Sequence, residues 1–220
     1  MGTRGSPTAA RAALMARPKK EDALDISRKA VEETIRLLGE RDDFDVPLAA
    51  VAEAVGCTAP ALYGHFRNKD ALLRAVNDAG FRRLYEEKLA LSKQLRSDPF
   101  VYLREGTRAY VQFAFNNPTL YRLMFSPPPG VAADQDPLSS DAGASVLELA
   151  VKAIKACQKQ GFLPGMDPNR YAFTYWAAVH GAVTLALQNR APGDEARFDA
   201  AIVVIDTLLE IIAATAPDRR

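Results

Sequence analysis

Residues 54–73 read AVGCTAPALYGHFRNKDALL, and this stretch decides how the rest of the chain is read. Thr58 has a hydroxyl suited to the free N–H groups that open a helix, and Pro60 follows inside the first turn, where a missing N–H costs nothing. Just before them, Gly56 can take the positive φ that closes a preceding helix. The segment from Thr58 is therefore a very short helix held between stop signals. It ends in Tyr63, Gly64, His65 and Phe66, and the polar bend Arg67-Asn68-Lys69-Asp70 comes next.

Working outward, Leu48, Val51, Ala52 and Val55 make an apolar stripe, and Pro47 suits a first turn, so a helix is expected over about 47–54. A longer one is expected at about 22–40, ending in Arg41-Asp42-Asp43. Downstream, Asn68 can cap a helix that starts at Lys69, carries Leu72, Leu73, Val76, Leu84 and Leu89 on its apolar positions and runs to about Leu95. Further helices are expected at 99–116, from Pro118 to about Phe125, and at 140–160, 168–189 and 195–215. The Pro/Gly/Ser-rich run 126–143 reads as a loop, with shorter breaks at 161–168 and 190–194. Strand-like alternation is nearly absent. The fold class is all-α: a basic arm over 1–20, a three-helix unit over 21–68, a connecting helix over 69–95 and a helical bundle over 96–220.

At 220 residues, 48% hydrophobic and 25% charged, the chain has the composition of a soluble globular protein of one or two domains. No apolar run approaches the ~18–20 residues that span a bilayer. The basic N-terminus lacks the continuous apolar stretch of a secretory signal, so no membrane association and a cytoplasmic location are expected. Cys57 and Cys157 are the only cysteines; they fit neither a disulfide framework nor a metal spacing and are expected to be small buried hydrophobes. The two histidines lie far apart, and there is no Gly-rich phosphate loop and no HExxH. No enzyme, metal site or cofactor is expected, although a Ser/His/Asp set assembled only in space leaves no such trace.

The net charge of +1 conceals a segregation. Arg4, Arg11, Arg17, Lys19 and Lys20 meet no acid within the arm, and over 55–83 Arg67, Lys69, Arg74, Arg82 and Arg83 meet only Asp70 and Asp78. Positive charge beside a short helix whose outward residues are small (Thr58, Ala59, Pro60, Ala61) suits a polyanion. Two short helices joined by a glycine-containing turn, then a bend and a third helix, make a helix-turn-helix arrangement, whose second member seats in the DNA major groove. Tyr63 and His65 are placed to donate to phosphate oxygens, and Lys69 brings a cation to the next helix's free N–H groups. The competing interpretation is a helical corner with Tyr63 and Phe66 as core aromatics, and an arm that is merely solvated.

The run VPLAAVAEAVGCTAPALYGHFRNKDALL resembles the N-terminal DNA-binding domain of the tetracycline-repressor (TetR) family of bacterial regulators, over about residues 28–80. Its most specific part is Ala61, Leu62, Tyr63, His65, Phe66, Lys69 and Leu72. The resemblance implies a recognition helix at about Thr58–Gly64 and phosphate contacts by Tyr63, His65 and Lys69. Two departures stand out. Asp45-Val46-Pro47 occupies the place where the family often has Ser or Thr, and acidic residues replace the glycine commonly found at the end of the first helix.

In the second half, YWAAVHGAVTLAL (175–187) sets Trp176, His180 and Gly181 at helical spacing. With NPTLYRLMF (117–125) it resembles the C-terminal domain of the TetR subgroup named WHG, over about 100–215. Tyr110, Phe113, Tyr121, Met124, Phe125, Phe173 and Trp176 offer a large apolar surface, with His180 among the polar tips, as a small-molecule cavity between helices needs. Aromatics at such spacing also build ordinary cores. Ala201, Ile205, Leu208 and Ile212, beside Ile202 and Leu209, form a seam suited to a partner helix, and Ala178, Ala182 and Ala186 permit close approach. The seam packs either against a second subunit, as the family's four-helix interface implies, or within one subunit.

These features predict a homodimeric, ligand-responsive repressor that binds a palindromic double-stranded operator and an unknown small-molecule effector, pairing through its last two helices. Shape and backbone readout, with the arm in the minor groove, are expected at the DNA. The alternatives are a helical small-molecule-binding or scaffold protein without DNA-binding activity, and an enzyme using a bundle pocket around His180.

Overall fold

A computed structural model describes residues 20–41, 43–132, 141–191 and 197–216. Over these the chain forms ten helices and no strand: α1 (Lys20–Gly39), α2 (Leu48–Val55), α3 (Ala59–Tyr63), α4 (Lys69–Gln94), α5 (Pro99–Asn116), α6 (Pro118–Phe125), α7 (Pro129–Ala132), α8 (Asp141–Lys159), α9 (Pro168–Leu187) and α10 (Arg197–Ala213). The fold class is all-α, as expected. The arm up to residue 19, with its expected place in the minor groove, lies outside the described residues.

Most helix ends follow from local chemistry. Thr58 accepts from the Ala61 N–H at 3.3 Å and Asn68 from the Ala71 N–H at 2.9 Å. Asp98 and Asp167 cap α5 and α9 through the N–H groups of Val101 and Arg170. Each such cap is typically worth about 1 kcal/mol. Gly56, at φ +76°, closes α2 in the left-handed conformation. Pro47 differs from expectation: it stands at the cap position, just outside α2, and gives its first turn no side-chain acceptor.

The expected loop 126–143 contains a further turn of helix, α7. Its cause is Val131, only 3% exposed, which docks on the core, while the Gly130 carbonyl accepts from Arg74 Nη1 at 2.8 Å. A proline run can enter a helix only at its first turn, which is where Pro129 stands. Residues 133–140 of that loop and 192–194 of the later break lie outside the described residues.

Helices α1, α2 and α3 pack together at one end, burying Leu38, Val51, Leu62 and Phe66. The long helix α4 buries Leu72, Leu73, Val76, Phe81 and Leu84, packing on α1 and also on α5, α6 and α8. Helices α8, α9 and α10 close the bundle around α5. A Cβ at Gly80 would come within 2.7 Å of Met124 Sδ, so any larger residue there would force the buried Met124 side chain to move. Polar links reinforce the junction: Thr119 Oγ1 donates to the Arg41 carbonyl at 2.8 Å, and Asn77 Nδ2 to the Leu123 carbonyl at 2.9 Å.

The α10 seam faces its own bundle. Ala201, Ile205 and Ile212 are fully buried by α9 and α5, as is Ala186 on α9, so they are not available to a second subunit. Heptad-like spacing marks an apolar stripe but does not say what covers it. Cys157 is buried as expected, whereas Cys57, just after the Gly56 turn, is only partly so. No helix among the described residues is long and apolar enough to cross a membrane.

Candidate nucleic-acid interface and interior cavity

Helix α3 has one inward residue and a bare outer face. Leu62 is 1% exposed, and Phe66, just past the helix end, is 6% exposed. Thr58 and Pro60 are exposed, Ala59 and Ala61 are half-buried, and Tyr63 projects outward at 53% exposure. His65 is half-buried in the turn that follows. At the start of α4, Lys69 Nζ lies 2.7 Å from Asp45 Oδ1, and this hydrogen bond holds the Asp45 carboxyl below the usual carboxylate range. Asp45 is largely exposed, and solvent-screened surface pairs of this kind are weak, so a phosphate can compete for the ammonium. The outer face therefore presents small side chains flanked by a phenol, an imidazole and a cation.

On the far side of α4, helices α4, α5, α8 and α9 enclose a cavity of about 50 Å³. Leu103, Val146, Ala150 and Val179 supply apolar wall, and Tyr110 and Trp176 supply aromatic wall. Four further side chains bring polar atoms. Thr107 Oγ1 donates to the Leu103 carbonyl at 2.6 Å, so the Tyr175 hydroxyl, 3.1 Å away, donates to Thr107. Lys88 Nζ donates to the Gly106 carbonyl at 3.1 Å and lies 6.0 Å from the Tyr110 ring centre. Loss of hydration in this apolar setting pulls the Lys88 pKa down to about 8. The Tyr102 hydroxyl is buried and has no hydrogen-bond partner among the described residues; burial pushes its pKa up to about 12.

A second polar group adjoins the cavity. Tyr121 Oη stands 2.6 Å from His180 Nδ1, and Tyr110 Oη stands 2.8 Å from Tyr121 Oη and 3.1 Å from the same nitrogen. Burial lowers the His180 pKa below its ordinary value, favouring the neutral ring, and Nδ1 can then accept from Tyr121. Trp176 stacks on this imidazole at 5.1 Å between ring centres, and Phe125 packs at 4.7 Å.

The comparisons with known proteins agree with this architecture. Residues 30–76 match the family model for bacterial regulatory proteins of the tetR family, and residues 103–208 match that for the tetracyclin repressor-like C-terminal domain. The chain belongs to the TetR family. Over 91 residues it is 28% identical to the HTH-type transcriptional regulator AcrR of Shigella flexneri, an alignment spanning 41% of this chain and 42% of that relative. A TetR-family transcriptional regulator from Pectobacterium atrosepticum shares the fold at a TM-score of 0.71 and 19% identity, covering 92% of this chain and all of the other. RolR, solved in complex with resorcinol, superposes at a TM-score of 0.59 and 15% identity, covering 91% of this chain and 99% of its own.

As a TetR-family transcriptional regulator, the chain distributes the eight aromatic, methionine and histidine residues singled out for ligand contact in three ways. Tyr110 and Trp176 line the cavity. Tyr121, Phe125 and His180 form the cluster beside it. Phe113 and Met124 are buried off the cavity wall, Met124 against Gly80, and Phe173 is 52% exposed on the outer side of Trp176. Sequence reasoning missed Lys88 and Tyr102. Lys88 carried a signal: Phe81, Leu84, Lys88 and Leu91 continue one helical stripe at spacings of three, four and three, with the lysine on an apolar face. Among the described residues, no group of three or more His, Cys, Asp or Glu side chains is placed to hold a metal.

Proposed function

We propose that this TetR-family regulator is a repressor that grips a palindromic operator as a dimer and releases it when a small molecule fills the α4–α5–α8–α9 cavity. The observation that carries the reading is α3 itself: a capped helix locked inward by Leu62 and, just beyond it, Phe66, with Tyr63 and a row of small side chains turned to solvent. Thr58, Ala59, Pro60 and Ala61 face base edges, and Tyr63, His65 and Lys69 hold phosphates. Such small residues make few bidentate base contacts, so DNA shape carries much of the specificity. An effector shifts operator affinity only by its difference in affinity for the bound and released spacings of the two heads. RolR, which shares the fold, was solved in complex with the ligand resorcinol, and this supports a small-molecule effector here.

The dimer reading rests on the outer faces of the last two helices. Phe173 and Leu185 on α9, with Val203 and Ile211 on α10, are each close to half exposed. Gly181 lies between the first two, and a Cβ there would meet nothing within 4 Å of its own chain. A mid-helix glycine costs roughly 1 kcal/mol relative to alanine, which close approach by a second copy explains.

Selection of bound fragments from random duplexes, followed by a salt titration, tests the reading. The expected outcome is one symmetric site whose affinity falls steeply as salt rises. Absence of salt-dependent duplex binding overturns it. Sedimentation should give twice the chain mass, reverting to a monomer in Gly181→Leu.

A further inference from the structure

We infer that the interior cavity takes a small monoanionic acid, an apolar body carrying one carboxylate that pairs with Lys88 and accepts from the Tyr102 hydroxyl. This builds on the effector reading above and specifies the ligand's chemistry. Three of the polar groups in and beside the cavity wall are already satisfied within the chain: Thr107 and Tyr175 by one another, and Tyr110 by the cluster with Tyr121 and His180. Two are not. The Tyr102 hydroxyl, in a residue 7% exposed, has no partner among the described residues, and Lys88 spends one of its three N–H donors on the Gly106 carbonyl.

These two groups lie together. A Cβ built on Gly106 would fall 3.7 Å from the Tyr102 ring carbon that bears the hydroxyl and 3.8 Å from Lys88 Nζ. Gly106 thus keeps open the space that both groups flank, inside a helix where glycine is otherwise unfavourable. Among the described residues no carboxylate lies within ion-pair distance of Lys88. A partly buried cation without a counter-ion loses hydration that nothing replaces, and the unmade hydrogen bond of the buried Tyr102 hydroxyl adds to that cost. A ligand carboxylate meets both needs at once, accepting from the ammonium with one oxygen and from the phenol with the other. The remaining wall is apolar along Leu103, Val146, Ala150 and Val179 and aromatic at Trp176, which suits a hydrocarbon or aromatic body and rejects a heavily hydrated anion.

The chain carries its own reporter, because its only tryptophan, Trp176, lines the cavity. Tryptophan emission of the full-length protein is titrated with straight-chain alkanoates and phenylalkanoates of graded length, each paired with the amide of the same skeleton. At least one acid should bind about tenfold or more tightly than its amide, the scale of one charge-assisted hydrogen bond. Lys88→Met, which removes an uncompensated charge and keeps the bulk, should abolish that preference while leaving amide binding within about twofold. Tyr102→Phe should weaken acid binding by a smaller factor. Equal affinity for acids and amides, an acid preference that survives Lys88→Met, or no acid binding up to millimolar concentration would each overturn the inference. Operator binding is measured separately. Acids that bind the cavity without releasing DNA leave the ligand class standing and remove the effector reading.

Discussion

Tyr63 and Tyr102 both sit on helices, and their surroundings could hardly differ more. Tyr63 is half exposed at the end of a five-residue helix whose cap, stop signal and inward anchor all lie within ten residues of it. Tyr102 is buried in a wall assembled from four helices that lie as far apart in the chain as Lys88 and Val179. The first site is local in sequence and its energetics are electrostatic and superficial. The second is long-range, and its energetics are those of desolvation. A substitution at the outer face should therefore change binding and spare folding, whereas one at the cavity wall should change stability first.

The largest test of that contrast is Leu62→Ala, which turns the outer site into a packing problem. Removing this buried side chain should cost about 2–5 kcal/mol, read as a fall in melting temperature, with DNA binding lost in proportion to unfolding. If operator affinity vanishes while stability is unchanged, the two properties are not separable in the way described.

The next effect belongs to the cavity. Unfolded, Lys88 keeps its proton to about pH 10.5, but in the folded chain it surrenders it near 8, so the unfolded state binds more protons in between. Its contribution to stability therefore rises with pH across that window, by at most about 3 kcal/mol. Around it, Tyr102 and Tyr175 titrate only near 12, Tyr110 well above 10, and His180 below its usual range; Cys157, nearby on α8, titrates near 11. Lys88→Met should be more stable than the parent at pH 7, with the gap narrowing toward pH 10 as followed by denaturant titration. A gap constant with pH would mean that the ammonium is well solvated.

Lys69→Ala should weaken operator binding and flatten the slope of log affinity against log salt by about one unit, without a measurable change in melting temperature. The smallest expected effect sharpens the picture at the same residue. Asp45→Asn frees Lys69 and removes a negative charge from the phosphate path, so operator affinity should rise a few-fold in the same titration. Unchanged or weaker binding would assign Asp45 the task of positioning the lysine.

How far each region was legible in the sequence follows the same divide. The caps Thr58 and Asn68, the Gly56 stop and the apolar stripes of α2 and α4 are read by neighbours within a turn or two, so helix identities and the three-helix unit could be inferred residue by residue. The packing partner of α10 could not, because Ala201, Ile205 and Ile212 show the same spacing whether α9 or a second subunit covers them. The one-turn helix α7 escaped because its cause is tertiary, the docking of Val131 and the hand of Arg74 on Gly130. Around the cavity, Tyr110 and Trp176 were found through their size. Lys88 was overlooked because a charged side chain on a long helix ordinarily points to water, and only the neighbouring helices show that this one does not.

Helix α6 is only eight residues long, yet it is tethered at both ends to other parts of the chain. Thr119 ties its beginning to the chain leaving α1, and Asn77 from α4 takes up carbonyls at its close. Tyr121 and Phe125, which meet the imidazole beside the cavity, ride on the same short rod. Any displacement of those rings would therefore bear on the same short helix whose first turn is bonded to the exit of α1.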